Sequence, residues 1–261
     1  MTLENSRRAI ETLLASTEPE EIRQGLELAR NEAASMDPGE AQQLFEAVAT
    51  IFYIDPLDRP DLMPLLDEAI SLVAGFGDWV IPVLIDRLDA GDLKAQMAVA
   101  HALGRMGTGA IKPLMAEYQS AADPGRHAFI LYALGKIRSP EIAQAAQLVL
   151  EAAQSPDIEL RDTATRAIGK FAESIPPSYL SEDMRLGFVG KLQNNLADPN
   201  AGIRAKAIRS LGKLARFGHL TAQEREKLKA TCHLVLGTDE NYEWDRAYIV
   251  RREAAEALNY V

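Results

Sequence analysis

The chain has very little cysteine and no long uncharged apolar run. Cys232 is the only cysteine among 261 residues, so no disulfide can form within the chain. Proteins without disulfides are typical of reducing compartments, and we expect a cytoplasmic protein. The longest uncharged apolar stretches, such as 69–77, fall far short of the roughly 18 residues that suggest a membrane span. We therefore expect no membrane crossing and no membrane partner.

Compact catalytic and metal-binding motifs are also missing. The four histidines, His101, His127, His219 and His233, are scattered along the chain, and none is followed by Glu. No glycine-rich phosphate loop and no nucleophile-elbow pattern occurs. Cys232 and His233 are adjacent, but neighbouring residues on a helix point about 100° apart, which disfavours a catalytic pair. The sequence predicts no catalytic residue, no metal site and no cofactor, so a non-enzymatic function is favoured.

A short tripeptide similar to Ala-Leu-Gly recurs along the chain. Its closing residues are Gly75, Gly104, Gly135, Gly169, Gly212 and Asn259. The positions nine, five, two and one before each closing residue are mostly apolar, and Arg126 is the one charged residue that interrupts this stripe. Apolar residues at that spacing indicate a helix that is buried along one side. Since no alternating stretch with hairpin turns occurs, we expect an almost entirely helical chain.

The helix ends are predicted from capping signals. We expect the glycine that closes each tripeptide to end its helix in the left-handed conformation, with Asn259 as the substitute in the last repeat. Capping-box spacing at Asp37 with Glu40 and at Thr221 with Glu224 predicts helix starts. The pattern predicts a helical pair at about 3–35 and six further pairs, at about 39–75, 78–106, 109–137, 140–174, 181–217 and 221–260.

Two repeats share a longer pattern, which reads DIELRDTATRAIG over 157–169 and DPNAGIRAKAIRSLG over 198–212. This pattern resembles HEAT-like repeats, particularly the subgroup that is also found in phycobilin lyases. The resemblance implies an all-α fold, a right-handed α-α superhelix of the HEAT/armadillo type, in which each helix pair buries its stripe against the next. We expect a single domain over 1–261, with 1–38 as a helical pair acting as cap and 39–261 as about six repeats.

The longer pattern contains a recurring Asp and Arg. The pairs are Asp157 with Arg161, Asp198 with Arg204, and Asp245 with Arg251. In HEAT-like families the corresponding residues typically stack into a ladder that ties one repeat to the next. The resemblance therefore implies a structural role for these six residues.

Two further rows lie on the helix face opposite the packing stripe, three positions before and one position after each closing residue. Eight members of these rows, with one more arginine, are our candidates for partner binding: His101, Arg105, Tyr132, Lys136, Arg166, Lys170, Arg209, Lys213 and Arg216. Stacked helices would align them along the surface that HEAT-like folds curve inward. Alternatively, a Lys or Arg in the last turn complements the helix dipole, contributing about 0.3–1 kcal/mol each.

Charge is unevenly distributed along the chain. Residues 1–90 hold 18 acidic and 6 basic residues, whereas residues 91–261 hold 20 acidic and 22 basic residues. A basic face on an acidic protein could bind an acidic protein segment or a phosphorylated ligand. Nucleic acid is a poor candidate, because its phosphate backbone would be repelled by a net charge of -10.

These observations favour a non-enzymatic protein-binding scaffold or adaptor, which binds a partner protein, with an acidic segment as one possibility, along the inward surface. The resemblance to phycobilin lyases implies an alternative, a bilin (tetrapyrrole) lyase-like subunit that acts on an acceptor protein. In that case the basic residues would hold propionate groups, and Tyr132 would stack on the chromophore. A glycosylase of the HEAT-like type, acting on alkylated DNA, ranks last because of the net negative charge.

Overall fold

The computed structural model of the chain describes residues 3–33, 36–89, 91–240 and 243–261. Within these ranges fourteen α-helices are joined by short loops and 3₁₀ turns, and no strand occurs. Each of these helices is too short or too polar to span a bilayer. The chain divides into two compact units, Met1–Glu117 and Tyr118–Val261. The all-α repeat fold is confirmed, whereas a single domain over the whole chain stays a prediction.

The first unit contains successive helix pairs. They are α1 (Leu3–Leu14) with α2 (Pro19–Ala33), α3 (Pro38–Ala49) with α4 (Met63–Ala74), and α5 (Val80–Asp86) with α6 (Leu93–Met106), and α7 (Ile111–Ser120) follows. The second helices form a layer, because α2 packs against α4 and α4 packs against α6. Stacked second helices are the arrangement that the repeated apolar stripe predicts.

An aromatic cluster joins α3 to the turn that precedes α5. Phe45 is fully buried, and its ring centroid lies 6.5 Å from that of Phe76 and 6.4 Å from that of Trp79. The guanidinium of Arg87 covers the other ring surface, with its Cζ 4.7 Å from the Phe45 centroid. Aromatic packing therefore joins successive helix pairs at this point of the first unit.

The second unit continues the same repeat. Its helices are α8 (Pro124–Leu134), α9 (Ala146–Ala152) with α10 (Ile158–Ser174), α11 (Glu182–Asn195) with α12 (Ala201–Arg216), and α13 (Ala222–Leu236) with α14 (Tyr248–Ala257). The pair predicted at 140–174 begins with a 3₁₀ turn over Pro140–Ala145, and the α-helical part of its first helix, α9, follows this turn. Here too the second helices form a layer, in which α10 packs against both α8 and α12, and α12 packs against α14.

The predicted helix starts are confirmed at two positions. The Asp37 carboxylate accepts hydrogen bonds from the backbone N–H groups of Gly39 and Glu40 at the start of α3. At the start of α13, Thr221 and Glu224 form a complete capping box, in which each side chain bonds the other's backbone. The predicted pair boundaries agree with the observed helices to within a few residues.

The prediction that the repeat glycines end their helices in the left-handed conformation is wrong. Gly104, Gly169 and Gly212 lie inside α6, α10 and α12. Gly75 and Gly135 do follow their helices, but with right-handed φ angles of -83° and -66°. The described glycines with positive φ are Gly77, Gly107, Gly218 and Gly237.

The repeat glycines serve close helix packing instead. A Cβ on Gly169 would lie 2.6 Å from the hydroxyl oxygen of Ser210 and 3.0 Å from the Ser210 Cα. A Cβ on Gly212 would lie 3.1 Å from the Cβ of Ala257. Distances this short leave no room for a side chain, so glycine allows α10, α12 and α14 to approach one another closely.

The implied Asp–Arg ladder is confirmed in the second unit. Arg161 Nε donates to Asp198 Oδ2 at 2.7 Å, and Arg204 Nε donates to Asp245 Oδ2 at 2.8 Å. Each arginine thus binds the aspartate of the following repeat. Each also donates to backbone carbonyls of its own repeat, at 2.5 Å to Ser155 O and at 2.8 Å to Asp198 O. The ladder ties the loop before each second helix to the next repeat.

Candidate ligand-binding surface

The predicted partner-binding residues differ in how their charges are compensated. In the first unit, Arg105 Nη1 donates to the Asp67 backbone oxygen at 2.7 Å, and its guanidinium also pairs with the Asp67 carboxylate. It also contacts the Ser71 hydroxyl. These bonds fix α6 to α4. His101 lies one turn earlier on α6 and lines a groove between these two helices.

At the C-terminal end, Arg209 is engaged in an internal ion pair. Its Nε donates to Glu253 Oε2 at 2.7 Å, and the Glu253 side chain is only 1% exposed. Arg252 donates to the same carboxylate at 2.8 Å. Burial opposes the ionisation of Glu253, but the hydrogen bonds and charges of Arg209 and Arg252 together outweigh it, and the pKa of Glu253 is lowered. Arg209 therefore joins α12 to α14.

Arg216 lies at the end of α12 and is exposed to solvent. Its Cζ is 5.3 Å from the ring centroid of Tyr260 and 5.5 Å from that of Phe217. Both distances are within the range of cation–π contacts. The residue thus covers aromatic surface at the end of the second unit.

Two of the predicted cations, Lys170 and Lys213, pair with Glu173 on α10. Its carboxylate lies 2.5 Å from Lys213 Nζ, 3.1 Å from Lys170 Nζ and 2.8 Å from Arg138 Nη1. Burial of the carboxylate opposes ionisation, but the hydrogen bonds from Lys213 and Lys170 outweigh it and lower the pKa of Glu173 to about 2. The charges of Lys170 and Lys213 are thus compensated inside the unit. The sequence argument missed Glu173, although its spacing from Lys170 on one helix is a signal for an ion pair.

Tyr132, Lys136 and Arg166 form a different arrangement, which we call the cation–tyrosine site. Lys136 Nζ lies 4.6 Å from the ring centroid of Tyr132, and Arg166 Cζ lies 5.5 Å from it. All three side chains are half-buried. In the part of the chain that the structure describes, no carboxylate lies within ion-pair distance of Lys136 or Arg166.

The electrostatic environment of this site is strongly positive. Burial lowers the pKa of Lys136 to about 8, and repulsion from Arg166, Lys170 and Arg138 acts in the same direction. Burial also raises the pKa of the Tyr132 hydroxyl, while the positive charge of Arg166 opposes that rise. Burial is thus the larger cause of the lowered pKa of Lys136, and the neighbouring positive charges add to it. An anion bound here would relieve the repulsion.

The cation–tyrosine site lies in a shallow depression between α8 and α10, which Gly135 and Thr163 also line. The volume of this depression is about 10 Å³, which holds no more than about one water molecule. A ligand would therefore contact the surface rather than enter a closed pocket. This geometry suits a side chain or a peptide segment of another protein.

Metal-binding and nucleophilic chemistry have little support in the described ranges. No group of three or more His, Cys, Asp or Glu side chains there could hold a metal ion. Cys232 is buried, and burial raises the pKa of its thiol to about 11. The thiol is therefore protonated at neutral pH and is a weak nucleophile. The His233 ring bonds the Thr238 hydroxyl at 2.8 Å.

Comparisons with known proteins bear on the fold alone. No protein-family model matches the chain, and no curated protein matches its sequence. The archaeal HEAT-like repeats protein from Thermococcus onnurineus is similar in structure, with 15% identity, 100% of this chain and 97% of that chain covered, and a TM-score of 0.49.

Designed proteins give similar values. A designed armadillo repeat protein in complex with the peptide (KR)4 shares 16% identity, with 94% of this chain and 99% of that chain covered and a TM-score of 0.48. An engineered protein shares 16% identity, with 98% of each chain covered and a TM-score of 0.49. At this level of similarity no ligand or activity follows from these structures.

Proposed function

We propose that this chain is a non-enzymatic adaptor that binds an acidic segment of a partner protein at the cation–tyrosine site. The observation that carries the proposal is the contrast within the predicted rows. Lys136 and Arg166 retain uncompensated charge, whereas four other cations of the rows have carboxylate partners: Arg105, Lys170, Arg209 and Lys213.

The chemistry of the site favours a carboxylate-bearing segment. An arginine guanidinium binds a carboxylate with two parallel hydrogen bonds, and such charge-assisted bonds contribute about 1.5–3 kcal/mol each. Lys136 supplies a second positive charge close to Arg166, so two acidic side chains of one segment could be bound together. The ring of Tyr132 offers apolar surface to the rest of the segment. A bound carboxylate would also offset the like-charge repulsion between Lys136 and Arg166.

The proposal narrows the nine candidate residues to three. Arg105 and Arg209 link helices, so we propose a structural role for them. That the site lies on the inward surface of a superhelix remains part of the proposal. The tetrapyrrole alternative stays a prediction. The shallow depression at Tyr132 does not favour it, because it gives no enclosed space for a chromophore.

A peptide-binding experiment tests the proposal. The fluorescence anisotropy of a fluorescein-labelled octaglutamate peptide is titrated with the wild-type chain and with Arg166→Gln and Lys136→Gln. We expect each variant to bind about tenfold more weakly, because each loses one charge-assisted contact. Lys229→Gln is the matched control, since Lys229 is exposed on α13 of the same unit and the charge change is identical.

Two results would contradict the proposal. Equal binding by the wild type and both variants would show that Lys136 and Arg166 do not contact the peptide. An equally large loss in Lys229→Gln would show that the peptide responds to net charge alone, without a localised site. Circular dichroism of every variant shows whether the helical fold is retained.

A further inference from the structure

The first unit contains a groove that the cation–tyrosine site does not involve. It lies between α4 and α6, next to the segment that joins α3 to α4, and its volume is about 170 Å³. The apolar lining includes Ile54, Met63, Leu66, Ile70 and Met97. The groove is thus open, largely apolar and formed within one compact unit.

Large apolar side chains remain exposed along this groove. Met63 and Met97 line it, and each is 40% exposed. Leu57 and Leu93 are the chain neighbours of the lining residues Pro56 and Lys94, and they are 89% and 61% exposed. Clustered exposed apolar residues mark interaction surfaces, and methionine adapts its shape to apolar partners. A surface of this kind is suited to apolar side chains from another protein.

The rim of the groove is acidic. Lys94 pairs with Asp55, and the hydrogen bond that Lys94 donates to the Asp55 carboxylate raises the pKa of Lys94, with the charges of Asp92 and Asp58 acting in the same direction. Arg105 pairs with Asp67, which lines the groove. Asp67 thus lines the groove, and Asp55, Asp58 and Asp92 lie close to the lining residue Lys94, while two cations, Lys94 and Arg105, offset part of this negative charge. The remaining negative charge would attract Lys and Arg side chains and repel Asp and Glu.

We propose that this groove binds a basic amphipathic helix of a partner protein. Apolar side chains at i, i+3 or i+4, and i+7 of that helix pack along Met63 and Met97, as in other complexes where a helix fills an apolar groove. Lys or Arg side chains beside the apolar face approach the carboxylates of Asp55, Asp58 and Asp92. The acidic rim gives this groove a preference opposite to that of the cation–tyrosine site.

Model peptides test both parts of this proposal. A fluorescein-labelled peptide of Leu and Lys, with Leu at helical spacing, is compared with the same pattern in Leu and Glu and with a shuffled Leu/Lys sequence. We expect the wild-type chain to bind the patterned Leu/Lys peptide at least about tenfold more tightly than either comparison peptide. Met97→Lys should weaken its binding about tenfold, because a cation then faces the apolar and basic surfaces of the helix.

Further variants distinguish binding in the groove from unspecific binding. Met63→Lys repeats the change at a second position of the groove, and Asp58→Asn at the rim should weaken binding a few-fold. Leu186→Lys is the matched control, because Leu186 is 49% exposed on α11 of the second unit. Equal affinity for the Leu/Glu peptide, unchanged binding in Met63→Lys and Met97→Lys, or an equal loss in Leu186→Lys would each overturn the proposal.

A second copy of the chain is the competing occupant. Light scattering coupled to size-exclusion chromatography gives the oligomeric state of the wild type and of Met97→Lys. We expect both proteins to be monomeric. A wild-type dimer that Met97→Lys dissociates would show that the groove is an interface between copies, and would overturn the proposed partner.

Discussion

The two compact units use the same repeat with different charges and different helix packing. Residues 1–117 carry 20 acidic and 9 basic side chains, whereas residues 118–261 carry 18 acidic and 19 basic side chains. In the second unit, α10, α12 and α14 approach closely at glycine and are linked by the Asp–Arg ladder. In the first unit, α4 and α6 leave an apolar groove between them.

This difference indicates where the repeat leaves surface for ligands. Close approach at Gly169 and Gly212 places cations and carboxylates of successive helices together, so ion pairs such as Arg209 with Glu253 and Lys213 with Glu173 form inside the unit. Between α8 and α10, two cations lack a described carboxylate partner, and between α4 and α6 the apolar side chains remain exposed. Ligand-binding surface is therefore expected where neighbouring repeats are joined least completely.

We expect the largest loss of stability from breaking the Asp–Arg ladder of the second unit. Asp198→Asn leaves the guanidinium of Arg161 without its charged partner, and both side chains are largely buried, at 6% and 15% exposure. Removing one partner of a buried pair is strongly destabilising, and we expect the free energy of unfolding to fall by about 3 kcal/mol. Urea denaturation followed by circular dichroism measures the change.

The control for the ladder comes from the first unit. Asp61 pairs with Arg59 at 2.7 Å, but half of the Asp61 side chain is exposed. Solvent screens exposed ion pairs, so Asp61→Asn should leave the urea midpoint unchanged. A loss in Asp61→Asn as large as that in Asp198→Asn would show that the ladder has no special role in the second unit.

The second effect concerns close packing at glycine. Gly169→Ala forces Ser210 to move, because a Cβ would lie 2.6 Å from its hydroxyl oxygen. Overpacking costs about 1–3 kcal/mol, and the better helix propensity of Ala returns up to about 1 kcal/mol. We expect a net loss of about 1–2 kcal/mol in urea denaturation. At Gly190 in α11 nothing lies within 4 Å, so Gly190→Ala should stabilise the chain. If Gly169→Ala also stabilises it, close packing at this glycine is refuted.

Most of the fold could be predicted from the sequence, because the apolar stripe repeats at fixed positions and helix starts carry local signals. Thr221 caps α13 together with Glu224, which is three positions further along the chain. One short segment of sequence therefore contains the whole signal. The role of the repeat glycines could not be predicted in this way. Gly169 is required by the approach of Ser210, which lies 41 positions further along the chain, and local spacing does not encode that distance.

The candidate site was predicted only in part, because charge compensation depends on the partners of each cation. The repeat register identified Tyr132, Lys136 and Arg166 as members of aligned rows. It could not distinguish Lys136 from Lys213, which have the same position in their repeats. The two differ because Lys213 meets the carboxylate of Glu173, which belongs to the preceding repeat.

Acidification should lower the free energy of unfolding of the second unit by about 1 kcal/mol or more beyond that of the first unit. The pKa of Glu173 is about 2 in the folded chain and about 4.5 in the unfolded chain, so its stabilising contribution is present above pH 4.5 and is lost as the pH falls toward 2. Asp198, Asp245 and Glu253 in the same unit also have lowered pKa values. In the first unit Asp55 and Asp61 also have lowered pKa values, but the Asp61 side chain is half exposed and the Asp55 side chain is partly exposed. We therefore expect the second unit to unfold at a higher pH.

Tryptophan fluorescence can report each unit separately. Trp244→Phe leaves Trp79 as the probe of the first unit, and Trp79→Phe leaves Trp244 as the probe of the second. Glu173→Gln should reduce the loss of unfolding free energy between pH 4.5 and pH 3 by about 1 kcal/mol. Coincident acid transitions of both probes, unaffected by Glu173→Gln, would mean that the buried carboxylates do not set the acid stability of the second unit.

The smallest expected effect is the pH dependence of ligand binding. Because the pKa of Lys136 is about 8, this lysine loses its charge as the pH rises from 7 to 9, whereas the carboxylates of octaglutamate stay ionised. A bound anion stabilises the protonated amine, so affinity should fall about fivefold over this range. Lys136→Arg keeps its charge and should bind without this decline. A decline of equal size in Lys136→Arg would show that another group causes the pH dependence. The charge of Lys136 would then not contribute to binding of the peptide.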